Sequence, residues 1–192
     1  MLKNWPVLGT ERLLDTRVFA LLKRQARSPR SGEPCDFFLL EAPHWVNIVP
    51  ITRDGELVLV RQYRQGVEAF TLEIPGGMMD PTDPSAEHAA RRELLEETGY
   101  EAGALREVGW VEPNPALQNN RCYTFVAEDL HAPGPLQPDG SEDLEVVHIP
   151  VGEVPEYVRS GKIRHSLVIA AFALSFWLSP EASQGSGGSK CL

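Results

Sequence analysis

Cysteine is scarce in this sequence: residues 35, 122 and 191 are the only ones, odd in number and without a CxxC spacing. That excludes a disulfide framework and gives no zinc pattern, and it fits a reducing cytoplasm. Two of the three thiols are expected to be buried, as free cysteines usually are. Long apolar runs are missing as well. The longest, Leu167 to Leu178, is broken by Ser175 and falls short of the roughly 18 to 20 residues of a membrane span, so it reads as a buried helix. MLKNWPVLGTER at the start holds no apolar stretch of signal-peptide length. Positive charge is also in short supply, with 18 Lys and Arg against 27 Asp and Glu and a net charge of −9. A broad nucleic-acid face needs cationic side chains to neutralise phosphates, so neither nucleic acid nor a membrane is an expected partner. An acidic protein still binds a small polyanion when cations mediate the contact.

What is present is ordinary for a globular chain: 192 residues, 42% apolar and 23% charged, with 16 Gly and 16 Pro pointing to many turns. That length suits one domain, or one domain with a small appendage. Residues 13–26 mix strand and helix signals, RSPRSGEP is a turn cluster, and Cys35 to Leu40 read as a strand, which predicts an N-terminal hairpin in need of a partner surface. WVNIVPIT and ELVLVRQYR flank Arg53-Asp54-Gly55, a hairpin signal. Phe70 to Ile74 continues as a strand up to Pro75-Gly76-Gly77. Residues 85–97 switch to helical periodicity through Ala89, Ala90 and Leu94, with Gly99 where a C-cap belongs. REVGWV, RCYTFVAEDL and VVHIPVGEV read as strands, EVPEYVRSG as a short helix, and Ser166 as the cap of a closing helix. The tail SPEASQGSGGSKCL is small and polar.

The stretch RRELLEETGY raises a physical question. On a helix Glu93, Glu96 and Glu97 project from one face, where like charges repel by a few tenths of a kcal/mol. They also occupy the last turn, the wrong end of the helix dipole for acidic groups. A solvated acidic helix end is one account. A cation site is the other, because carboxylates suit Mg²⁺ or Mn²⁺, whose shells are completed by water and substrate phosphates. Arg92 is placed to orient one carboxylate by a bidentate pair and leave the others for metal.

GGMMDPTDPSAEHAARRELLEETGY resembles the Nudix box, G-x5-E-x7-R-E-U-x-E-E-x-G-U with U apolar or aromatic. Arg92, Glu93, Leu94, Glu96, Glu97, Gly99 and Tyr100 each fall on a defined position. The left half departs: Gly77 is followed by five residues and then Asp83 instead of Glu, and eight residues rather than seven separate Asp83 from Arg92. One extra residue in the loop accounts for this and leaves open what Asp83 does. HWVNIVPI, VRQYR, LEIPGG, IPVGEV and SGKIRHSLVIAAF look like the ADP-ribose and nucleotide-sugar pyrophosphatase branch, so the likeness spans about residues 14–178.

The resemblance implies an α/β fold: an α/β/α sandwich around a mixed sheet, with a small N-terminal β-subdomain. The expected division is residues 1–43 for that subdomain at a homodimer interface near the active site, 44–179 for the Nudix domain and 180–192 for a flexible tail. It implies Mg²⁺- or Mn²⁺-dependent hydrolysis of ADP-ribose or a nucleoside diphosphate sugar to a nucleoside monophosphate and a sugar phosphate. The other readings are an RNA 5′-end or nucleoside-triphosphate pyrophosphohydrolase and a non-catalytic nucleotide sensor. The metal set implied is Glu93, Glu96 and Glu97 with the Gly76 carbonyl, and Arg92 and Glu96 belong to the catalytic group. The general base is expected on the downstream acidic stretch, at Glu142 or else Glu145, a solvated acidic turn being the other account of that stretch. Arg61, Arg64, Glu73 and Arg121 are candidate substrate contacts, or else salt bridges and a loop brace. Trp45, Trp110, Tyr63 and Phe70 lie in strand patterns, where burial in the core competes with stacking on a base. The five histidines show no ligand spacing.

Overall fold

The structure, a computed structural model, describes residues 2–131, 134 and 143–177. Glu142 and residues 178–192 lie outside the described residues. The chain forms two compact units, one of Met1–His44 with Glu112–Arg121, the other of Trp45–Val111 with Cys122–Leu192.

In the small unit the expected hairpin is instead a three-stranded antiparallel sheet, β1 (Val7–Asp15), β2 (Ala20–Arg27) and β3 (Pro34–Glu41), in that order. The turn that sequence reading passed over is made by a hydroxyl: Thr16 Oγ1 accepts from the backbone N–H of Val18 and Phe19, at 3.2 and 2.9 Å. The second turn is the RSPRSGEP cluster, with Gly32 at a φ of 79°. Ala20, Leu22 and Ala26 of β2 are buried, whereas β1 is exposed along its whole length. Val7, Leu8, Leu13 and Leu14 of β1 and Phe37 and Phe38 of β3 therefore stand in solvent. The 112–121 segment joins this unit through backbone bonds: Leu40 N–H donates to Leu117 O at 2.7 Å, and Asn119 N–H to Leu40 O.

The large unit contains β4 (Trp45–Pro50), β5 (Glu56–Arg64), β6 (Ala69–Glu73), β7 (Gly76–Met78), α1 (Ala86–Thr98), β8 (Glu101–Val111), β9 (Cys122–His131), β10 (Leu144–Pro150), α2 (Val154–Arg159) and α3 (Ser166–Phe172). One sheet is antiparallel, ordered β10-β5-β6; the other is mixed, ordered β7-β4-β9-β8, with β4 and β9 parallel. The two strands flanking Asp54-Gly55 consequently do not form the hairpin expected. The turn closes, Thr52 N–H donating to Glu56 O at 2.9 Å, but after one bridge at Ile51 and Leu57 the strands part into different sheets. The edge of β4 that β5 would need is already taken, since β7 pairs with Trp45 to Asn47 and Ile48 N–H donates to Pro75 O.

β4 and β9 alternate between two cores. Val46, Ile48, Phe125 and Ala127 pack against Ala89, Ala90 and Leu94 of α1. Val49 and Val126 turn the other way and meet Leu57, Leu59, Ile149, Val154, Val168 and Phe172, which covers that face with α2 and α3. The mixed sheet thus has helices on both sides, the α/β architecture that the sequence implies. Leu57 to Val60 are all fully buried, as befits a strand covered on both faces. The closing helix is capped by His165 rather than by Ser166: His165 Nδ1 accepts from Leu167 N–H at 3.2 Å, and the helix begins at Ser166 itself. It runs on as a π-helical turn over Ala173–Trp177.

Candidate active site

Helix α1 starts where Ser85 Oγ accepts from His88 N–H at 3.1 Å, a cap contributing about 1 kcal/mol. It stops at Gly99, whose φ of 74° and N–H bond to Leu95 O form a left-handed cap. Between those ends Ala89, Ala90 and Leu94 bury one stripe, and the same register carries Glu93 and Glu97 into the protein, 8% and 2% exposed. A solvated acidic helix end does not describe two buried carboxylates. Glu96, by contrast, is partly exposed.

The glycine turn before α1 is fitted to these side chains. Gly76 N–H donates to Glu97 Oε2 at 2.9 Å. A Cβ at Gly77 would stand 2.5 to 2.8 Å from the carboxylate atoms of Glu93. Arg92 answers the repulsion among the carboxylates: its Nη1 donates to Glu93 Oε1 at 2.9 Å and to Glu96 Oε2 at 3.0 Å. Its Nη2 reaches Met78 O and Asp83 Oδ2, at 3.2 and 3.0 Å, and Nε reaches Asp83 Oδ1 at 3.4 Å. These acceptors raise the guanidinium's proton affinity further despite its partial burial. Asp83, left without a role by sequence reading, is therefore a partner of Arg92. The Arg92 hydrogen bonds, despite some desolvation, pull its carboxyl down to about 2. The sequence signal for it was the extra loop residue, which shifts the chain so that a shorter acid reaches the same helix.

The other candidates divide. Arg64 and Glu73 meet each other in a two-pronged pair, Nε to Oε1 at 3.0 Å and Nη2 to Oε2 at 2.8 Å, with Thr71 Oγ1 donating to Glu73 Oε1 at 2.6 Å. Burial alone would push the Glu73 carboxyl up; the Arg64 and Thr71 hydrogen bonds outweigh it and hold it below the usual carboxylate value. Arg61 is on the opposite face of β5, because an odd separation along a strand reverses the side chain. There its Nη1 donates to Glu145 Oε2 at 3.2 Å and its guanidinium stacks over Phe70. The structure thus joins a candidate substrate contact to the second candidate base and separates Arg61 from Arg64. Arg121 belongs to the small unit, where its backbone N–H donates to His44 Nδ1 at 3.0 Å. Tyr63, Phe70 and Trp110 are exposed, against the expectation of burial, and Phe70 is 61% so. Sequence reading also passed over His148, whose Nε2 lies 3.1 Å from Tyr100 Oη beside the end of α1.

Among the described residues no three His, Cys, Asp or Glu side chains already converge on one point. The donor chemistry nevertheless fits a hard divalent cation. Such an ion needs one or two carboxylates and otherwise keeps water and phosphate oxygens, and Glu93 and Glu97 are two buried carboxylates facing a backbone turn with no side chain in the way.

A twisted mixed sheet between helices, with a glycine turn leading into an acidic helix, defines a class that the comparisons identify. Residues 43–169 match the family model described as NUDIX domain, and the chain belongs to that family. It is 25% identical over 178 residues to ADP-ribose pyrophosphatase of Bacillus subtilis (strain 168), covering 92% of this chain and 94% of that protein. It is 32% identical over 134 residues to the ADP compounds hydrolase NudE of Escherichia coli (strain K12), covering 69% of this chain and 70% of that one. A crystal structure described as an ADP compounds hydrolase superposes with a TM-score of 0.82 at 27% identity, covering 97% of this chain and 98% of that chain. The protein is an enzyme of the Nudix pyrophosphatase kind. Among the described residues no helix is long and apolar enough to cross a membrane.

Proposed function

We propose that this protein hydrolyses the pyrophosphate bond of ADP-ribose or a nucleoside diphosphate sugar, releasing a nucleoside monophosphate and a sugar phosphate. The observation that carries the reading is the pair of buried carboxylates, Glu93 and Glu97, on the helical face that meets the Gly76-Gly77 turn. The relatives named for ADP-ribose and ADP compounds support the substrate class. Glu93 and Glu97 would hold Mg²⁺ or Mn²⁺, with Glu96 beside them and the Gly76 carbonyl as a further ligand. Bound there, the ion supplies charge neutralisation of the diphosphate and a water of lowered pKa. Arg92 orients Glu93 and Glu96. Arg64, held by Glu73, presents a pre-set cation to the substrate, and Arg121 is a further contact. Arg61 serves on the other face of β5. For the base we retain Glu142, outside the described residues, ahead of Glu145, which is engaged with Arg61.

The exposed apolar residues of β1 and β3 support a homodimer in which a second copy covers them. The free Cys35 and Cys122 thiols support work in a reducing cytoplasm. The test is a panel of ADP-ribose, UDP-glucose, GDP-mannose, ADP-glucose, NADH and dinucleoside polyphosphates with Mg²⁺, set against a second group of nucleoside triphosphates and capped RNA, all products identified. Turnover of the first group and its loss in Glu97→Gln, with melting unchanged, is expected. Turnover confined to nucleoside triphosphates or capped RNA, or full activity of Glu97→Gln, overturns the reading.

A further inference from the structure

Asn47 interrupts the apolar run of β4, between Val46 and Ile48. A carboxamide in such a strand has two ends to satisfy. Its Nδ2 donates to Leu167 O, in the first turn of α3, at 3.2 Å. A carbonyl oxygen only accepts, so the amide nitrogen faces Leu167 and Oδ1 faces the other way. There Oδ1 lies over Gly76, because the two residues pair across β4 and β7 and a Cβ at Gly76 would stand 2.9 Å from it. Among the described residues Oδ1 has no hydrogen-bond partner, and it is not sealed from solvent. Gly76 N–H turns away from β4 to Glu97 Oε2 at 2.9 Å, so Oδ1 and a buried carboxylate border the same glycine. Leu167 N–H is held in turn by His165 Nδ1, and Glu73 lies within electrostatic reach of His165. The start of α3 thus sits beside the Arg64–Glu73 pair as well as the Gly76 turn.

We infer that Asn47 is a substrate-reading residue whose Oδ1 accepts a hydrogen bond from a hydroxyl of a sugar joined directly to the diphosphate, an inference that rests on the proposed pyrophosphatase reaction. An oxygen that only accepts selects by what it repels. Ionised phosphate offers acceptors alone, whereas a sugar offers hydroxyl donors. With the diphosphate held at Glu97 and Gly76, its immediate substituent is the group nearest Oδ1, and a nucleobase lies a whole ribose further off. The tie to Leu167 O orients the amide in advance, so little side-chain freedom is lost on binding.

The test is kcat/KM with Mg²⁺ for the wild type and for Asn47→Leu, which keeps the volume and removes both hydrogen bonds. Three substrates are compared: ADP-ribose; the β-methyl ester of ADP, which lacks the second sugar; and ADP-ribose with a 2′,3′-dideoxy adenosine, which lacks those hydroxyls on the first. On ADP-ribose the variant is expected to lose about tenfold, the size of one neutral hydrogen bond. On the analogue that lacks the hydroxyl read by Oδ1 it is expected to match the wild type within about twofold, as an absent contact cannot be lost again. Parity on the methyl ester assigns the hydroxyl to the second sugar, parity on the dideoxy compound to the first. Equal losses on all three substrates, which is what cutting the Leu167 tie alone would give, overturn the inference, and so does full activity on ADP-ribose. Should Asn47→Leu not be recovered folded, Asn47→Ala is read by the same ratios. Glu97→Gln is expected to depress all three substrates alike. Full activity of that variant, or a wild type inactive on ADP-ribose, overturns the reaction itself and the inference with it.

Discussion

Gly76 and Gly77 are adjacent, yet adding one methyl group to each is expected to damage different things. Neither has a positive φ, so alanine meets no backbone strain at either position. At Gly77 the new Cβ would lie 2.5 Å from Glu93 Oε1, which must recoil by about 0.5 Å to reach even a tight 3.0 Å contact. That stretches the 2.9 Å bond from Arg92 Nη1 past the normal range. A ligand displaced by a fraction of an ångström costs roughly 10- to 100-fold in turnover, given that 1 Å costs about 10². Stability is nearly spared, within about 1 kcal/mol, because a flexible carboxylate yields and alanine restricts the unfolded chain. At Gly76 the new Cβ would meet Val46 O at 2.3 Å and Asn47 Cα at 3.1 Å. Backbone in a paired strand cannot yield without breaking the β4–β7 ladder, so a loss of about 3 kcal/mol is expected. For a chain of this length that lowers the melting temperature by roughly 6 to 12 °C. ADP-ribose turnover and thermal melting on both variants decide the matter. Wild-type turnover in Gly77→Ala, or wild-type melting in Gly76→Ala, refutes the geometry.

Arg64→Ala leaves the Glu73 carboxylate buried without its main partner and is expected to cost about 2 kcal/mol at pH 7.5, discounted because Arg64 is half exposed. In the wild type the lowered Glu73 carboxyl stabilises the fold above its unfolded pKa; in the variant burial raises it, so the deficit in urea melts should shrink as pH falls, and a constant deficit would count against the pair. Asp83, held at about 2 against an ordinary 3.8, contributes about 1 to 2 kcal/mol that is present above pH 4 and lost as pH falls through 2. Acid denaturation of Asp83→Asn should lack that component, and an unchanged acid limb would refute its origin in Asp83. Burial pushes the Cys122 thiol up to about 12, so iodoacetamide at pH 8 should label Cys35 well before it, as read by peptide mapping. Equal labelling rates would contradict the burial.

Helix α1 was legible because two independent signals agree on it, the Ala89, Ala90 and Leu94 stripe and Gly99 at its C-terminal end, whereas the Ser85 cap at the other end emerges only in the structure. Local chemistry fixes such an element, and the family pattern adds which of its faces matters. The pairing of β4 was not legible, since the Asp-Gly turn states only that the chain reverses. Which strand lies alongside was decided by Pro75 to Met78, more than twenty residues on. Asp83 failed for a related reason: its contact with Arg92 depends on how a loop with one extra residue folds back, and spacing counted along the chain reads that extra residue as a loss of match. The parting of Arg61 and Arg64 was readable from strand periodicity alone, because their separation is odd. His165 replaced Ser166 as a cap through an imidazole nitrogen, a donor-acceptor role that residue preferences rank low.

The small unit is not one continuous piece of chain, since β3 borrows the backbone of residues 112–121 at Leu40. A single cut at residue 44 therefore cannot excise it cleanly. Deleting β1 to β3 would leave the Leu117 carbonyl and the Asn119 N–H without their partner at Leu40. Any chimera that transplants the N-terminal sheet onto a related enzyme has to carry both segments across together.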